Sequence, residues 1–264
     1  MQYLAYPDGS PASVKTTIGT ARYRIGFHPA AKMSTSIAGD FPPTQLRKVC
    51  AMSGQAPSPR IIGLTGGIGM GKTTVSDYLD KTYQLPILDA DIYAREAVQP
   101  GSIVLEAIVN RYQSKILLLD GTLDRRQLGE IIFTQPSERI WLDEQIHPYV
   151  RQALSRDRDR LIQHSHQTIV LVIPLLFEAQ MTDLITEIWV VSCSPDQQIQ
   201  RLMQRGALSL EQANARINSQ MAIAEKRDRA DVVLENTSTL EDLLEQVDRA
   251  IDHPFSPNST KSYG

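Results

Sequence analysis

The sequence has little of what several classes of protein require. It contains only two cysteines, Cys50 and Cys193, and neither lies in a C-x-x-C pair or beside paired histidines. We therefore expect neither a disulfide framework nor a metal-binding cysteine cluster, and cysteines of this kind are typical of a reducing, cytoplasmic compartment. The net charge of -3 disfavours nonspecific binding to nucleic acid or anionic membranes. The longest apolar run, residues 168–177, is too short to cross a bilayer and contains Pro174.

Residues 1–59 differ in composition from the rest of the chain. Asp8 and Asp40 are their only acidic residues, and Ser, Thr, Pro and Gly are frequent. No helical or alternating apolar period persists, so we expect a poorly ordered extension with little core. The composition also fits a targeting segment, or a start codon set too early, since Met33 and Met52 follow. We favour a dispensable tail or a misplaced start over targeting.

From Arg60 to Ile251, short apolar runs alternate with helical patterns. The runs lack strict alternation, which is typical of strands buried on both faces; they are IIGLT, LPILDAD, TIVLVI, EIWVVSC and DVVLEN. Strands separated by helices predict an α/β fold with a five-stranded parallel sheet and flanking helices. Residues 100–167 have helical patterns without a buried strand, which indicates a helical insertion. Residues 252–264 are expected to form a C-terminal tail.

The segment Gly66 to Thr73, GGIGMGKT, matches G-x-x-x-x-G-K-[ST], a phosphate-binding loop. Glycines let backbone N–H groups point inward around an anion, and the helix that follows adds the positive end of its dipole. Lys72 is expected to reach the β- and γ-phosphates, and the Thr73 hydroxyl to ligate Mg²⁺. The motif follows a predicted strand and opens a helical pattern, so we predict a nucleoside triphosphate site.

Two absences narrow what the nucleotide is used for. No asparagine is followed by lysine, so the N-K-x-D signature that reads guanine in GTP-binding switches is missing. The strand predicted before Pro174 has no acid until Glu178, which weakens the case for a motor or transporter ATPase.

Two aspartates are candidates for the chemistry of phosphoryl transfer. Asp89 and Asp91 lie at the carboxyl end of a predicted strand, LPILDAD, that we expect to neighbour the phosphate loop. Residues two apart in a strand share a face, so both carboxylates could point to the site. One could accept the proton of an attacking hydroxyl, and the other could hold the water shell of the metal. The structural alternative is that Asp91 is a helix N-cap, a position that Asp favours.

Several separated motifs in this part of the chain resemble the dephospho-coenzyme A kinase family. They are GLTGGIGMGKTTV, DADIYAREAV, DGTLDRRQLGEIIF, HPYV, IPLLFE, RLMQR and EKRDRADVVLEN. The resemblance implies a P-loop kinase fold within 60–251, with an acceptor-binding helical insertion at about 100–167 and a helical lid at about 195–229. It implies ATP-dependent, Mg²⁺-dependent phosphorylation of the ribose 3′-hydroxyl of dephospho-CoA, the last step of coenzyme A synthesis.

The resemblance also implies residue roles. Asp91 is the base, and the catalytic cations are Lys72, Arg205 and Arg216. The residues that contact ATP are Gly67, Gly69, Met70, Gly71, Lys72, Thr73, Thr74 and, near adenine, Asn236. The residues on the acceptor side are Asp89, Arg95, His147, Leu175 and Phe177. Thr73 holds Mg²⁺, with Asp91 acting through water.

Each of these roles has a bland alternative. His147 could be structural, Phe177 could be core, and each lid arginine could form an ordinary surface ion pair. Three functions stay open: a dephospho-CoA kinase, another small-metabolite or nucleoside-monophosphate kinase, or a nucleotide-regulated binding protein without phosphoryl transfer. Fold and loop do not separate the first two, but the acceptor-side motifs favour the first. We expect a monomer that binds dephospho-CoA and neither nucleic acid nor membrane.

Overall fold

The structure is a computed structural model that describes residues 58–253. Almost all of the predicted N-terminal extension, residues 1–57, therefore lies outside the described residues, as do residues 254–264 of the predicted tail. The last described helix ends at Asp252, so the first residue assigned to that tail belongs to a helix.

Five strands form a single sheet in which every pairing is parallel, which confirms the predicted α/β class. The strands are β1 (Arg60–Gly66), β2 (Ile87–Asp89), β3 (Thr168–Val172), β4 (Glu187–Ser192) and β5 (Val232–Glu235). Their order across the sheet is β2-β3-β1-β4-β5. The apolar runs form strands because both faces of the sheet are covered by helices.

Strand β2 does not pair with β1. β3 lies between them, and Val172 of β3 is the register partner of both Leu64 and Asp89. An apolar run carries no information on which strand it pairs with, so the position of β2 could not be read from it. Asp89 still ends at the same carboxyl edge of the sheet as the phosphate loop, because all the strands are parallel.

Helices cover both faces. Nine α-helices lie within residues 58–253: α1 (Lys72–Tyr83), α2 (Ala90–Glu96), α3 (Ile103–Tyr112), α4 (Arg125–Thr134), α5 (Pro136–Gln163), α6 (Pro195–Gly206), α7 (Leu210–Asn218), α8 (Ile223–Asp228) and α9 (Leu240–Asp252). Short 3₁₀ turns occupy Ser114–Ile116 and Thr182–Leu184. No helix in this part of the chain has the length and apolar character needed to cross a membrane.

Two apolar clusters lie on opposite faces of the sheet. Ile62 and Leu64 of β1 pack with Val75 of α1 and Leu243 of α9. Ile61, on the opposite face, belongs to a larger cluster that extends through α2 to α5. Successive residues of β1 thus feed two cores, which explains why the run is apolar without alternation.

The helices of the predicted insertion and lid occupy the two long crossovers of the sheet. Helices α3, α4 and α5 lie between β2 and β3, and α6, α7 and α8 lie between β4 and β5. Capping boxes begin two of the latter: Ser194 with Gln197 at α6, and Ser209 with Gln212 at α7. The helical patterns are therefore present, whereas their roles in binding the acceptor and closing over it stay proposals.

Candidate active site

The loop between β1 and α1 has a backbone that requires glycine. Gly66, Gly69 and Gly71 have φ values of 142°, 75° and 108°. A Cβ atom on Gly66 would lie 2.3 Å from the carbonyl oxygen of Val191, and one on Gly71 would lie 2.3 Å from Asn236 Nδ2. These glycines therefore meet two demands at once, a left-handed backbone and close packing against the ends of β4 and β5.

Lys72 begins α1 and points back into the loop. Its Nζ donates hydrogen bonds to the carbonyls of Gly66 at 2.9 Å and Gly67 at 2.8 Å. Burial lowers the pKa of Lys72 to about 8, and the positive charge of Lys226 acts in the same direction. A surface lysine beside a glycine turn would show neither this burial nor these hydrogen bonds.

Of the two aspartates, Asp89 is the helix cap and Asp91 is not. Strand β2 ends at Asp89, whose carboxylate accepts the backbone N–H of Asp91 at 2.8 Å and caps α2. Asp91 is therefore not the cap. The argument from a shared strand face is also wrong, since Asp91 lies in the first turn of α2. The chain turns into a helix at Ala90 because the Asp89 side chain satisfies an N–H group that the first turn leaves free.

The Asp91 carboxylate is buried without a complete set of hydrogen bonds. Its Oδ1 atom is shielded from solvent and has no hydrogen-bond partner among the described residues. The pKa of Asp91 is raised to about 6, mainly by burial and to a lesser extent by the Asp89 carboxylate, whereas Lys72 and Arg95 oppose the rise. An unsatisfied buried oxygen costs free energy, and a pKa near neutrality suits a group that accepts a proton.

The structure brings four predicted residues into one electrostatic group. Lys72, Asp89, Asp91 and Arg95 each shift the pKa of at least one other member. Thr73 and Thr74 are exposed in the first turn of α1.

Asn236 is tied to the phosphate loop from the end of β5. Its Nδ2 donates to the carbonyl of Met70 at 2.8 Å. Arg201 of α6 donates to the Asn236 backbone carbonyl at 3.2 Å, while Nη1 of the same arginine is buried without a partner among residues 58–253. The residue that the resemblance places near adenine therefore contacts both the loop and α6.

None of the other predicted residues contributes to the pKa shifts of Lys72, Asp89 and Asp91. His147 is on α5, where its Nε2 lies 3.8 Å from Asp143 Oδ1 and burial lowers its pKa. Leu175 and Phe177 are buried in the larger core, although Arg229 stacks over the Phe177 ring at 4.4 Å. Arg205, at the end of α6, is exposed and takes part in none of the ion pairs formed by the described residues.

Arg216 lies on α7 and is half-buried. Because α6 and α7 belong to the crossover between β4 and β5, both predicted lid arginines are carried by the same part of the chain. The catalytic roles of both arginines stay predictions.

Two glutamines that sequence reasoning missed, one on α6 and one after α7, are hydrogen-bonded to the phosphate loop. Gln198 donates to the carbonyl of Ile68 at 2.9 Å, and Gln220 accepts the N–H of Ile68 at 3.0 Å. Isolated glutamines carry no motif signal of their own. Only the position of Gln220 at the end of RINSQ, within a stretch that resembles the family, could have indicated it.

A buried ion pair was also missed as a functional feature. The Lys226 side chain has no solvent exposure, and its Nζ lies 2.8 Å from Glu178 Oε1. The same ammonium donates to the carbonyl of Pro174 at 3.2 Å, and Glu178 accepts the N–H of Met221 at 2.9 Å. Both charged residues stand in family-like motifs, but only the fold reveals that they pair behind Lys72.

The donors beside the loop fit a magnesium ion bound with a nucleotide. Among residues 58–253, no group of three or more His, Cys, Asp or Glu side chains could hold a metal by itself. The available donors are the Thr73 hydroxyl and the unpartnered oxygen of Asp91. Mg²⁺ prefers such hard oxygens and usually takes few ligands from the protein, since substrate phosphates and water supply the rest.

A parallel sheet of this order, with a phosphate-binding loop after its central strand and a buried carboxylate after β2, defines a P-loop kinase of small molecules. The model of the dephospho-CoA kinase family matches residues 60–242. The chain belongs to the dephospho-CoA kinase family, and it is a phosphotransferase of coenzyme A biosynthesis.

Relatives and solved structures agree with this membership. A dephospho-CoA kinase of Trichormus variabilis is 58% identical over 193 residues, which cover 73% of this chain and 97% of that one. A dephospho-CoA kinase of Synechocystis is 52% identical over 202 residues, covering 76% and 100%. The structure is similar to that of dephospho-CoA kinase from Campylobacter jejuni, with a TM-score of 0.57, 27% identity and coverage of 73% and 95%.

Proposed function

We propose that the protein transfers the γ-phosphoryl group of ATP to the ribose 3′-hydroxyl of dephospho-CoA, yielding CoA and ADP. The observation that carries this proposal is the unsatisfied, buried carboxylate oxygen of Asp91 in the electrostatic neighbourhood of Lys72. A base and a phosphate-binding cation so placed suit the transfer of a phosphoryl group to a hydroxyl.

The phosphate loop would hold the β- and γ-phosphates with its backbone N–H groups. Lys72 would exchange its bonds to the carbonyls of Gly66 and Gly67 for phosphate oxygens, which are stronger partners for an ammonium ion. Thr73 and, through water, Asp91 would hold Mg²⁺, which neutralises charge on the phosphates. Asn236 would line the adenine side, since it already contacts the loop at Met70.

In the transfer step, the 3′-oxygen of the acceptor forms a bond to the γ-phosphorus. The bond from that phosphorus to the β–γ bridging oxygen breaks, ADP leaves, and the hydroxyl proton passes to Asp91. Arg205 and Arg216 would approach the transferring group when the helices between β4 and β5 close, and would stabilise its charge. Arg205 is exposed and forms no ion pair in the part of the chain described, so its guanidinium is available for this contact.

The acceptor would lie between α2 and the helices that follow it, α3 to α5. Asp89 would orient Asp91 through the cap of α2, and Arg95 would contact a substrate phosphate. Leu175 and Phe177 follow β3 and would line the acceptor side together with His147 of α5. Helices α3 to α5, within residues 100–167, would then form the acceptor domain. Helices α6 to α8, within residues 195–229, would form the lid.

We further propose that the protein acts as a cytoplasmic monomer without nucleic-acid or membrane partners. The net charge of -3 supports the absence of nucleic-acid and membrane partners, and the free, buried Cys193 supports a reducing compartment. Light scattering during size-exclusion chromatography measures the mass in solution, and a dimer or trimer would contradict the monomer.

The deciding experiment measures ADP formation from Mg-ATP with and without dephospho-CoA, with the acceptor product weighed by mass spectrometry. We expect turnover that depends on dephospho-CoA, a product heavier by one phosphoryl group, and loss of turnover with excess chelator. An equal rate of ADP formation with and without dephospho-CoA would contradict the proposal and point to ATP hydrolysis or to another acceptor.

A further inference from the structure

Two arginines from different helices meet beside the candidate active site. Arg95 lies in the last turn of α2, and Arg125 is the first residue of α4. Arg125 Nη2 approaches the backbone carbonyl of Arg95 to 3.5 Å, the outer limit of a hydrogen bond. The two guanidinium groups interact, because the charge of Arg95 adds to burial in lowering the pKa of Arg125.

This arrangement is unfavourable as a structural feature. None of the ion pairs among residues 58–253 includes Arg95 or Arg125. Arg125 is half-buried at a helix N-terminus, where the helix dipole disfavours a cation. The adjacent carboxylate of Asp124 is already engaged, since it caps α4 by accepting the N–H of Gln127 at 3.0 Å.

The neighbouring arginine shows the ordinary surface arrangement. The side chain of Arg126 is 79% exposed and lies 4.0 Å from Glu130, one turn along the same helix. Arg125 has neither that exposure nor such a partner. A cation that is partly desolvated, placed near a like charge and left without a carboxylate is suited to bind an anion that arrives with a ligand.

The position of the pair indicates which anion. Arg95 is four residues after Asp91 on α2, just over one turn or about 6 Å along the axis. Its charge lowers the pKa of both Asp89 and Asp91, so it lies within electrostatic reach of the proposed base. Arg125 Nη2 in turn approaches the Arg95 carbonyl, so a second guanidinium group lies next to Arg95.

We propose that Arg125 and Arg95 together form a subsite for the 5′-diphosphate of the acceptor. The inference rests on the proposed function. In dephospho-CoA the reacting 3′-hydroxyl and the 5′-diphosphate are carried on the same ribose. When Asp91 binds the hydroxyl, the diphosphate can reach the two guanidinium forks, whose geometry matches phosphate oxygens. The subsite would select acceptors that carry a 5′-phosphate over bare nucleosides.

The test compares Arg125→Gln with Arg126→Gln, a matched change one residue away. Steady-state rates are measured with dephospho-CoA and with adenosine, which has the 3′-hydroxyl but no phosphate. We expect Arg125→Gln to raise the KM for dephospho-CoA about 10- to 100-fold, the loss of one or two charge-assisted hydrogen bonds. The KM for ATP and the kcat/KM for adenosine should stay within about twofold. Arg125→Lys should recover part of the loss, because it restores charge without the fork.

Three results would overturn the subsite. Equal losses with dephospho-CoA and adenosine would make Arg125 a structural residue. Equal behaviour of Arg125→Gln and Arg126→Gln would show that it contacts no phosphate. A parallel rise in the KM for ATP would place it on the nucleotide instead. By contrast, a wild-type protein without dephospho-CoA-dependent turnover would contradict the proposed function itself.

Discussion

Lys226 Nζ lies 2.8 Å from Glu178 Oε1, and the lysine side chain has no exposure to solvent. The same carboxylate oxygen accepts the N–H of Met221, so one ion pair joins the loop after β3 to α8 and to the turn that precedes it. Its positive partner also lowers the pKa of Lys72. The pair therefore connects two segments of the chain, and its lysine acts electrostatically on Lys72 of the proposed phosphate site.

Breaking this pair from one side should destabilise the fold. Lys226→Met leaves Glu178 without its cation, and loss of one partner of a buried pair costs about 3–5 kcal/mol. We expect the lower end of that range, because the Glu178 side chain keeps 22% exposure. Urea unfolding followed by circular dichroism measures the change.

Two further variants test whether the loss of stability comes from the buried ion pair. Adding Glu178→Gln to Lys226→Met should restore part of the stability, since the unpaired carboxylate is then removed. Lys81→Met is the matched control: its partner is Asp77, both side chains are more than half exposed, and such a pair is worth about 0–1 kcal/mol. Equal effects at residues 226 and 81 would contradict the role of the buried pair.

Asp91→Asn should abolish transfer while leaving ATP bound. The amide cannot accept the hydroxyl proton, and loss of a general base typically costs about 10²–10⁴ in rate. In the wild type, kcat/KM should rise with pH through about 6, because burial raises the pKa of Asp91 to that value and only the deprotonated form acts as base. A flat profile between pH 5 and about 7 would show that Asp91 is not the base.

The same substitution should make the protein more stable. An unfolded aspartate releases its proton near 3.8, whereas the folded Asp91 holds it to about 6. The folded state binds more protons between these values, so the free energy of unfolding falls as pH rises through them and is lowest above about 6. Asp91→Asn removes that cost, and we expect a gain of about 1–3 kcal/mol at pH 8 but not at pH 3. Thermal unfolding at both pH values tests this.

Lys72 should take up a proton when nucleotide binds. Burial lowers its pKa to about 8, so at pH 8 about half of the free protein carries the neutral amine. Phosphate oxygens favour the charged form, and calorimetry in buffers of different ionisation enthalpy should show an uptake of up to about half a proton. Lys72→Ala should remove this uptake and lower turnover by about 10²–10³. If the Lys72→Ala variant still takes up a proton on binding nucleotide, a group other than Lys72 is protonated.

Gly71→Ala should disturb the loop more than strain alone predicts. At φ 108° a side chain costs about 1–3 kcal/mol, and the new Cβ would also lie 2.3 Å from Asn236 Nδ2. Displacing Asn236 would break its bond to Met70 and should weaken ATP binding. Gly121→Ala is the control, because its φ is 79° and nothing lies within 4 Å of the new atom. Calorimetry should show weaker ATP binding only for Gly71→Ala; equal effects would contradict the contact.

Removing residues 1–57 should leave activity and melting temperature nearly unchanged. The family model begins to match at residue 60, and the Synechocystis relative aligns over its whole length with 76% of this chain. Differential scanning fluorimetry and the ADP assay compare the full and shortened chains. A fall in melting temperature of several degrees would show that the removed residues pack on the kinase domain.

Much of the fold could be predicted because the signals are local. The GGIGMGKT loop is specified by consecutive residues, and each strand by one apolar run. The helix capped by Asp89 was also visible as a pattern, but not which aspartate caps it. That choice depends on where the strand ends, and the end of a strand is set by its pairing with β3 rather than by its own residues.

The sequence by itself determined the phosphate loop, the five strands, the helical stretches between them and the resemblance to the family. Tertiary structure decided that β3 separates β2 from β1 and that Asp89 rather than Asp91 caps α2. It also decided that Lys226 pairs with Glu178 and that Arg125 contacts Arg95. Each of these depends on residues that are distant in the chain or on burial. A local pattern does not show which distant residue a side chain contacts or how deeply it is buried. Both are set only when the sheet and its two layers of helices assemble.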